Sequence, residues 1–235
     1  FEFERQTAHR GALVVEDGYE EAGRQEERET SRDNGETAEL VTDLEQQIVA
    51  LRQQNVNSPL LGTLYSDLGD AFEKQTLKEK ALDAYGQALE YISEEDRGRR
   101  AEIFLKLGRS LRACRRYEPA KEYFQQALEI FESLEDSSNQ IDTHHWLGLI
   151  DQDLRTYGQT EEHYQKALNI CIEENNRQRQ ASLYHQLGRV AQELREYEQA
   201  RSHYQQALAI KIEFNDRYNQ ARTYHQLGIV AQALR

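Results

Sequence analysis

The chain has 235 residues, 38% hydrophobic and 30% charged, and its mean hydropathy of -0.90 argues against a membrane protein. The net charge of -13 argues against a nucleic-acid surface, because phosphate binding needs clustered Lys and Arg. Two cysteines make no disulfide framework, and the longest apolar run near the start, residues 12–15, is too short for a signal peptide. Only two prolines interrupt the chain, which favours helices. We expect a soluble, cytoplasmic, helical protein that binds neither nucleic acid nor membrane.

The first part of the chain is strongly acidic. Residues 1–58 hold fourteen acidic side chains against six arginines, and residues 16–37 are nearly free of large apolar side chains. A segment with so much charge and so little apolar surface buries too little area to fold alone. The sequence predicts that residues 1–37 form an acidic, flexible segment.

A short amphipathic pattern follows at residues 38–55. Val41, Leu44, Ile48 and Leu51 recur at three- and four-residue spacing, which predicts one helix with an apolar seam of two heptads. A coiled-coil dimer needs three to four heptads, so we favour an extra helix that covers the exposed flank of the repeats that follow.

Internal repeats begin after Ser58-Pro59, which has the form of an N-cap followed by proline in the first helical turn. Leu-Gly pairs recur at steps of 39, 40, 40 and 40 residues, and Ala-Leu pairs follow each of the first four at a fixed distance. The Leu-Gly pairs are Leu68-Gly69, Leu107-Gly108, Leu147-Gly148, Leu187-Gly188 and Leu227-Gly228. The repeat units are predicted near 59–96, 97–136, 137–176 and 177–216, with an incomplete unit at 217–235.

Each unit is predicted to be a pair of antiparallel helices. In the fourth unit, Tyr184, Leu187 and Ala191 make one apolar stripe at helical spacing, and a second stripe follows the turn near residue 195. Gly188 lies within the first stripe, where the missing side chain allows a neighbouring helix to approach closely. Aligning the units on their Leu-Gly pairs places Cys114 in a column of leucines, which predicts a core position, and predicts Cys171 at the margin of the core.

These residues resemble the tetratricopeptide repeat in its longer form of about 40 residues, as in Leu-Gly-Asn repeat scaffolds, kinesin light chains and bacterial signalling arrays. His144 and Thr160 depart from the pattern, which asks for an aromatic residue and alanine there. The resemblance implies an all-α, right-handed superhelical solenoid of four helix pairs plus one unpaired helix. It also implies a concave groove, lined by the first helix of each unit, that holds a protein segment.

On a helical wheel, one polar column of each first helix faces away from its apolar stripe; Ser182 of the fourth unit and Arg222 of the fifth belong to these columns. Two readings stay open: the column lines a peptide-binding groove, or it is a solvated face copied by repeat duplication. The predicted groove residues are Asp70, Glu73, Arg109, Arg112, His145, Leu149, Gln152, His185, Arg189, Gln192, His225, Ile229 and Gln232.

Catalytic and metal-binding alternatives are weaker. His145, His185 and His225 recur one unit apart, so their helices lie roughly 10 Å apart, whereas the ligands of one zinc lie within about 4 Å of each other. Neither cysteine has a phased His and acid partner, and no Gly-rich phosphate loop appears. We expect no catalysis, no metal and no cofactor.

The sequence therefore predicts a protein-interaction scaffold or sensor module that binds a protein or peptide ligand, as part of a larger signalling protein. The alternative is a self-assembly module whose partner is another copy of the chain, through the open C-terminal end. The absence of methionine and the lone helix after residue 216 favour a fragment of a longer array.

Overall fold

The computed structural model describes residues 35–54 and 58–235, and within these ranges it contains helices and no strand. The predicted flexible segment lies outside the described residues except for 35–37, which already belong to the first helix. The chain divides into two compact units, the first ending at Tyr91 and the second beginning at Ile92. The protein is an all-α helical repeat solenoid, as the sequence predicts.

The first unit contains helices α1, residues 35–53, α2, Pro59–Lys74, and α3, Lys78–Tyr91. Leu44 and Ile48 are the buried apolar residues of α1. At its end Arg52 donates a hydrogen bond to the Tyr91 hydroxyl at 3.4 Å, and its guanidinium lies 5.9 Å from the centre of the Tyr65 ring. These contacts place α1 against α2 and α3.

The second unit contains seven helices of 17 residues each in the described chain. They are α4, Arg97–Ala113, α5, Tyr117–Ser133, α6, Ser137–Asp153, α7, Tyr157–Glu173, α8, Arg177–Glu193, α9, Tyr197–Glu213, and α10, Arg217–Ala233. Each helix packs most extensively on its neighbours along the chain. The even-numbered helices are the first helices of the predicted units.

Every connection between consecutive helices from α4 to α10 has three residues, and so has the connection from α2 to α3. The middle residue has a positive φ angle in each, between 52° and 62°. This left-handed residue ends one helix and redirects the chain, which glycine or asparagine does with least strain. The residues in this conformation are Thr76, Arg115, Glu135, Arg155, Asn175, Arg195 and Asn215.

Capping side chains fix the starts of several helices, beginning with the Ser58 that the sequence predicts. The Ser58 hydroxyl accepts a hydrogen bond from the Leu60 backbone N–H at 3.2 Å, with Pro59 in the first turn. Asp136, Asn176 and Asp216 each accept the backbone N–H three residues later at 3.0 to 3.2 Å. These caps satisfy backbone donors that a helix leaves unpaired at its start.

A glycine-aromatic contact joins the two helices of each complete pair. A Cβ atom added to Gly188 would lie 2.7 Å from ring atoms of Tyr204, so only glycine fits there. The same contact occurs in the other pairs, and the aromatic residue always follows the glycine by 16 positions. The pairs are Gly69 with Tyr85, Gly108 with Phe124, Gly148 with Tyr164, and Gly188 with Tyr204. At Gly228 an added Cβ would meet nothing within 4 Å among the described atoms.

Two predicted core assignments were wrong. Cys114 is only half-buried because it lies at the C-cap of α4, where the helix ends beside a turn, and Leu194 is 39% exposed in the equivalent place. Cys171 is fully buried in a cluster with Leu183 and Leu187, whereas it was placed at the margin. Within the described residues, no helix is both long and apolar enough to cross a membrane.

Candidate functional site

The predicted groove residues of the first unit lie on α2. Asp70 and Glu73 are both half-buried. The Tyr85 hydroxyl on α3 donates a hydrogen bond to Asp70 Oδ1 at 2.7 Å, so this carboxylate is engaged inside its own unit. The continuation of the groove from Asp70 into the second unit stays a prediction.

In the second unit, Arg109 and Arg112 of α4 both cover the Trp146 ring of α6. Their guanidinium carbons lie 5.5 and 5.8 Å from the ring. Arg112 also pairs with Asp153 at 2.8 Å. Cation-π contact and ion pair together bring the outward faces of α4 and α6 side by side.

Two predicted groove residues have structural partners. The Gln152 side-chain oxygen accepts a hydrogen bond from the Tyr164 hydroxyl at 3.4 Å, and Gln192 accepts one from Tyr204 at 3.1 Å. Each tyrosine is the ring that packs on the glycine of its pair. Each glutamine accepts a hydrogen bond from the hydroxyl of its buried tyrosine. This internal contact explains why glutamine recurs at the position, without a role in ligand binding.

The remaining predicted residues differ in exposure. Leu149 is half-buried on α6, whereas His225, Ile229 and Gln232 are exposed on α10. His225 lies beside His185 and Arg189 along a shallow depression between α8 and α10. This depression brings the predicted columns of two first helices together.

A second pocket, of about 590 Å³, lies among α8, the end of α9 and the start of α10. Three predicted residues line it: His145, His185 and Arg189. The sequence wheel also placed Ser182 and Arg222 on this face, and both line the pocket. The remaining lining residues are Gln178, Ala181, Gln186, Ile210, Lys211, Phe214, Asp216 and Asn219.

Lys211 is the functional candidate that the sequence analysis missed. Its side chain is only 7% exposed, although it carries an ammonium group. Nζ donates a hydrogen bond to Thr223 Oγ1 at 2.9 Å, and no carboxylate lies within 4.0 Å of it in the described part of the chain. Burial lowers the pKa of Lys211, and Asp216 partly opposes that shift.

His185 completes a small polar cluster with Lys211 and Thr223. The Thr223 hydroxyl donates to the Asn219 carbonyl at 2.8 Å, and His185 Nδ1 lies 3.3 Å from the same hydroxyl oxygen. Since the hydroxyl has one hydrogen, we assign a hydrogen to His185 Nδ1. Burial lowers the pKa of His185 to about 4, with Lys211 as the next cause. The imidazole is therefore neutral at pH 7.

The pocket is locally cationic in an acidic protein. Arg189 and Arg222 stand at its exposed edge, and Lys211 lies below them. The one acidic lining residue is Asp216, whose two carboxylate oxygens accept from the backbone and side-chain nitrogens of Asn219 at 3.1 and 2.7 Å. Those hydrogen bonds lower the pKa of Asp216.

A second buried polar cluster joins α5, α6 and α7. Asp151 is fully buried, and Lys121 Nζ lies 2.7 Å from its Oδ1. His163 Nε2 lies 3.6 Å from Oδ2, and His163 Nδ1 lies 3.2 Å from His144 Nδ1. The carboxylate favours a hydrogen on His163 Nε2, so we assign the shared hydrogen to His144 Nδ1. Burial and His163 lower the pKa of His144 to about 4.

Neither cluster has the form of a metal site. Among the described residues, no group of three or more His, Cys, Asp or Glu side chains is placed to hold an ion. Burial raises the pKa of Cys171 to about 11, so this thiol is protonated at pH 7. The chemistry available in the pocket is recognition of a negatively charged or hydrogen-bonding group.

Several known proteins have the same architecture. BtubC from P. vanneervenii superposes with a TM-score of 0.73 at 24% identity, over 84% of each chain. A Rap protein complexed with Competence and Sporulation Factor has a TM-score of 0.58 at 18% identity, over 83% of this chain and 65% of that one. The third is a signal transduction ATPase with a tetratricopeptide repeat sensor from Pyrococcus horikoshii. It has a TM-score of 0.66 at 18% identity, over 74% of this chain and 26% of that one.

No curated protein sequence matches this chain. Family models described as tetratricopeptide repeat match residues 101–133, 139–213 and 179–235. These segments cover the helices that carry the glycine-aromatic contacts of the second unit. Together with the fold, the matches show that this chain belongs to the tetratricopeptide repeat family.

Proposed function

We propose that the second unit is a protein-interaction module that holds a peptide segment along its first helices. The observation that carries this proposal is the pocket among α8, α9 and α10, which opens beside predicted groove residues of α6 and α8. Its volume of about 590 Å³ accommodates one or two side chains of a bound segment.

Contacts between the first helices support a continuous surface. Arg112 of α4 reaches Asp153 of α6, and Arg179 of α8 lies 3.4 Å from Asp142 of α6. Thr223 of α10 contacts His185 of α8. A surface made by successive rigid helices keeps its shape before binding, which lowers the entropic cost of association.

Repeat proteins of this family serve as scaffolds for protein association, and one structural relative is a Rap protein complexed with Competence and Sporulation Factor. Another relative carries its tetratricopeptide repeats as the sensor of a signalling ATPase. We extend this role to the present chain as a cytoplasmic sensor or scaffold of a signalling protein, without a catalytic function of its own.

Selection from a phage-displayed library of random dodecapeptides tests the proposal. Selected peptides should bind the wild-type chain in fluorescence polarisation, and the variant R109A/R189A should weaken that binding at least roughly tenfold. The control K166A/R201A removes two exposed cations from second helices and should bind as wild type does. Failure to select any peptide, or equal binding by both variants, would contradict the proposal.

Self-association is the second candidate, and the surface of α10 favours it. Tyr224 is 55% exposed and Ile229 38%, and the added Cβ at Gly228 meets no described atom. Sedimentation velocity at several protein concentrations separates the two candidates. A peptide-binding monomer has a constant sedimentation coefficient, whereas a self-assembling chain shows a coefficient that rises with concentration and falls in the variant Y224E.

A further inference from the structure

We propose that the pocket at Lys211 binds a carboxylate group of the peptide ligand, which makes it an acid-specific subsite of the proposed groove. This inference rests on the proposed peptide-binding function and adds the chemistry of one ligand group.

The first argument is that Lys211 occupies a slot that is apolar in the preceding pairs. The equivalent residues at the ends of α5 and α7 are Phe131, 1% exposed, and Cys171, fully buried. Lys211 is 7% exposed, so the slot remains buried although its chemistry has changed. An ammonium group in such a slot costs folding free energy unless a partner compensates it.

The second argument is that the opposite wall offers Lys211 a polar partner, in a column that also holds a buried threonine, Thr143, two units earlier. Cys171 shares a hydrophobic cluster with Leu183 of the next first helix. The residue equivalent to Leu183 one unit later is Thr223, whose hydroxyl accepts the hydrogen bond from Lys211 at 2.9 Å. A buried apolar contact has thus become a buried polar one, next to a pocket.

The third argument is the unused hydrogen-bonding capacity of Lys211. An ammonium group donates three hydrogen bonds, and in the described part of the chain Lys211 donates one, to Thr223. The adjacent acidic residue, Asp216, has both oxygens engaged by Asn219. The remaining donors of Lys211 therefore have capacity for an acceptor supplied from the pocket.

The edge of the pocket favours a carboxylate over a neutral acceptor. Arg189 and Arg222 line the pocket and are exposed, and a guanidinium binds a carboxylate with two parallel hydrogen bonds. His185 is neutral and adds no charge, so the negative charge of one carboxylate balances the positive charge of the buried Lys211 ammonium group. The chain as a whole carries a net charge of -13, which repels acidic ligands from most of its surface.

The carboxylate has two sources in a peptide, an acidic side chain or the chain terminus, and four synthetic pools of random dodecapeptides distinguish them. The first pool has a fixed internal Glu and an amidated C-terminus, and the second has Gln there and a free C-terminal acid. The third has Gln and an amide, and the fourth has phosphoserine and an amide. Each pool is passed over immobilised protein, and the retained fraction is measured by mass spectrometry.

Wild-type protein should retain the first or the second pool roughly tenfold to a hundredfold more than the neutral third pool, as expected for a charge-assisted hydrogen bond. The variant K211M keeps the aliphatic stem and loses the ammonium, so it should lose this preference while it retains the neutral pool as wild type does. K166M, which removes an exposed lysine of α7, should behave as wild type. If K211M does not fold, the variant K211L/T223L is used in its place, because it reproduces the apolar contact between Cys171 and Leu183.

Equal retention of all four pools by wild type would overturn the carboxylate subsite and leave peptide binding standing. Greater retention of the phosphoserine pool than of either acid pool would overturn it in favour of a phosphate site. An acid preference that persists in K211M would place the subsite elsewhere. Retention of no pool would contradict the proposed function together with this inference.

Discussion

The helix pairs α6–α7 and α8–α9 share one backbone arrangement but bury different chemistry. Both pack a tyrosine on a glycine, Tyr164 on Gly148 and Tyr204 on Gly188. Three residues after the glycine, α6 carries Asp151 whereas α8 carries Ala191, and both are buried. The backbone contact defines the repeat, and the neighbouring slots accept polar residues when those residues satisfy one another.

The histidine of the polar pair has neighbours that its equivalent in α9 lacks, although Asp151 Oδ2 has no hydrogen-bond partner among the described residues. His163 of α7 lies beside both Asp151 and His144. The equivalent His203 of α9 stacks on Tyr184, and its buried Nδ1 has no hydrogen-bond partner among the described residues. Replacing His144 by the aromatic residue of the usual pattern would therefore leave His163 Nδ1 without its hydrogen-bond partner as well.

The largest effect should come from the contact that both pairs share. Gly148→Leu or Gly188→Leu forces a side chain into the tyrosine ring and should cost about 3 kcal/mol of unfolding free energy. Gly228→Leu meets open space and is the matched control, with a cost dominated by small propensity differences. Urea denaturation and hydrogen exchange measure the losses. Equal losses at all three glycines would contradict the packing role.

The pH dependence of stability should report the buried His144 of the polar pair, alongside a similar contribution from His185 of α8. The folded-state pKa of His144 is about 4, below the ordinary value of about 6.5 in an unfolded chain. As pH falls from 6.5 to 4, the unfolded state binds a proton that the folded state excludes, so stability falls by up to about 3 kcal/mol. Above pH 6.5 this residue contributes no pH dependence.

Urea midpoints measured between pH 7.5 and pH 4 provide the measurement. His144→Tyr should flatten the fall because it removes the buried titrating ring. The control His225→Tyr alters an exposed histidine of α10, and its urea midpoints should depend on pH as those of the wild type do. An unchanged slope in His144→Tyr would show that other groups produce the acid sensitivity.

Removal of the buried carboxylate should have a smaller effect. Asp151→Ala leaves Lys121 and His163 without their acidic partner, and loss of one member of a buried pair costs several kcal/mol when both are buried. Lys121 is 26% exposed and gains water instead, so we expect about 2 kcal/mol. Glu162→Ala breaks an exposed pair with Lys166 and should cost under about 0.5 kcal/mol.

A small effect should also come from replacing the buried carboxylate together with its polar neighbours. The variant H144Y/D151A/T160A gives α6 and α7 the residues found at Tyr184, Ala191 and Ala200, so His163 then matches His203 of α9 and the partly exposed Lys121 is solvated. Apolar replacement of a buried ionic cluster is often neutral or stabilising, so its unfolding free energy should lie within about 1 kcal/mol of wild type. A loss equal to that of Asp151→Ala alone would show that the two pairs differ in backbone as well as in side chains.

Sequence patterns predicted the helix pairs because each pair repeats the same contact. Gly188 and its equivalents could be recognised as close-approach sites, and Asp136, Asn176 and Asp216 as caps, since both depend on residues near in sequence. Exposure at the helix ends was harder to predict. Cys114 shares its alignment column with leucines, but the column lies at a C-cap and is half-exposed.

The pocket was only partly predictable. His185, Arg189 and Arg222 follow from the helical wheel because they lie on the outward face of first helices. Lys211 lies on a second helix in an apolar column, and its partner Thr223 lies on the next helix. Alignment of the repeats shows each change alone, whereas only the fold shows that the two changed residues contact each other.

The three-residue turns have a consequence for how this protein can be edited. The turns at 174–176 and 214–216 have the same length and the same left-handed middle residue. The segment between these two turns, which contains α8 and α9, therefore has two ends of the same backbone geometry. Inserting a second copy of α8 and α9 would lengthen the chain by one repeat unit with the same turn geometry, and Leu183 of the copy would then face Lys211 in place of Thr223. The number of repeat units can thus be changed by insertion at these turns. Asn175 and Asn215 are suitable splice points, since asparagine tolerates the left-handed conformation.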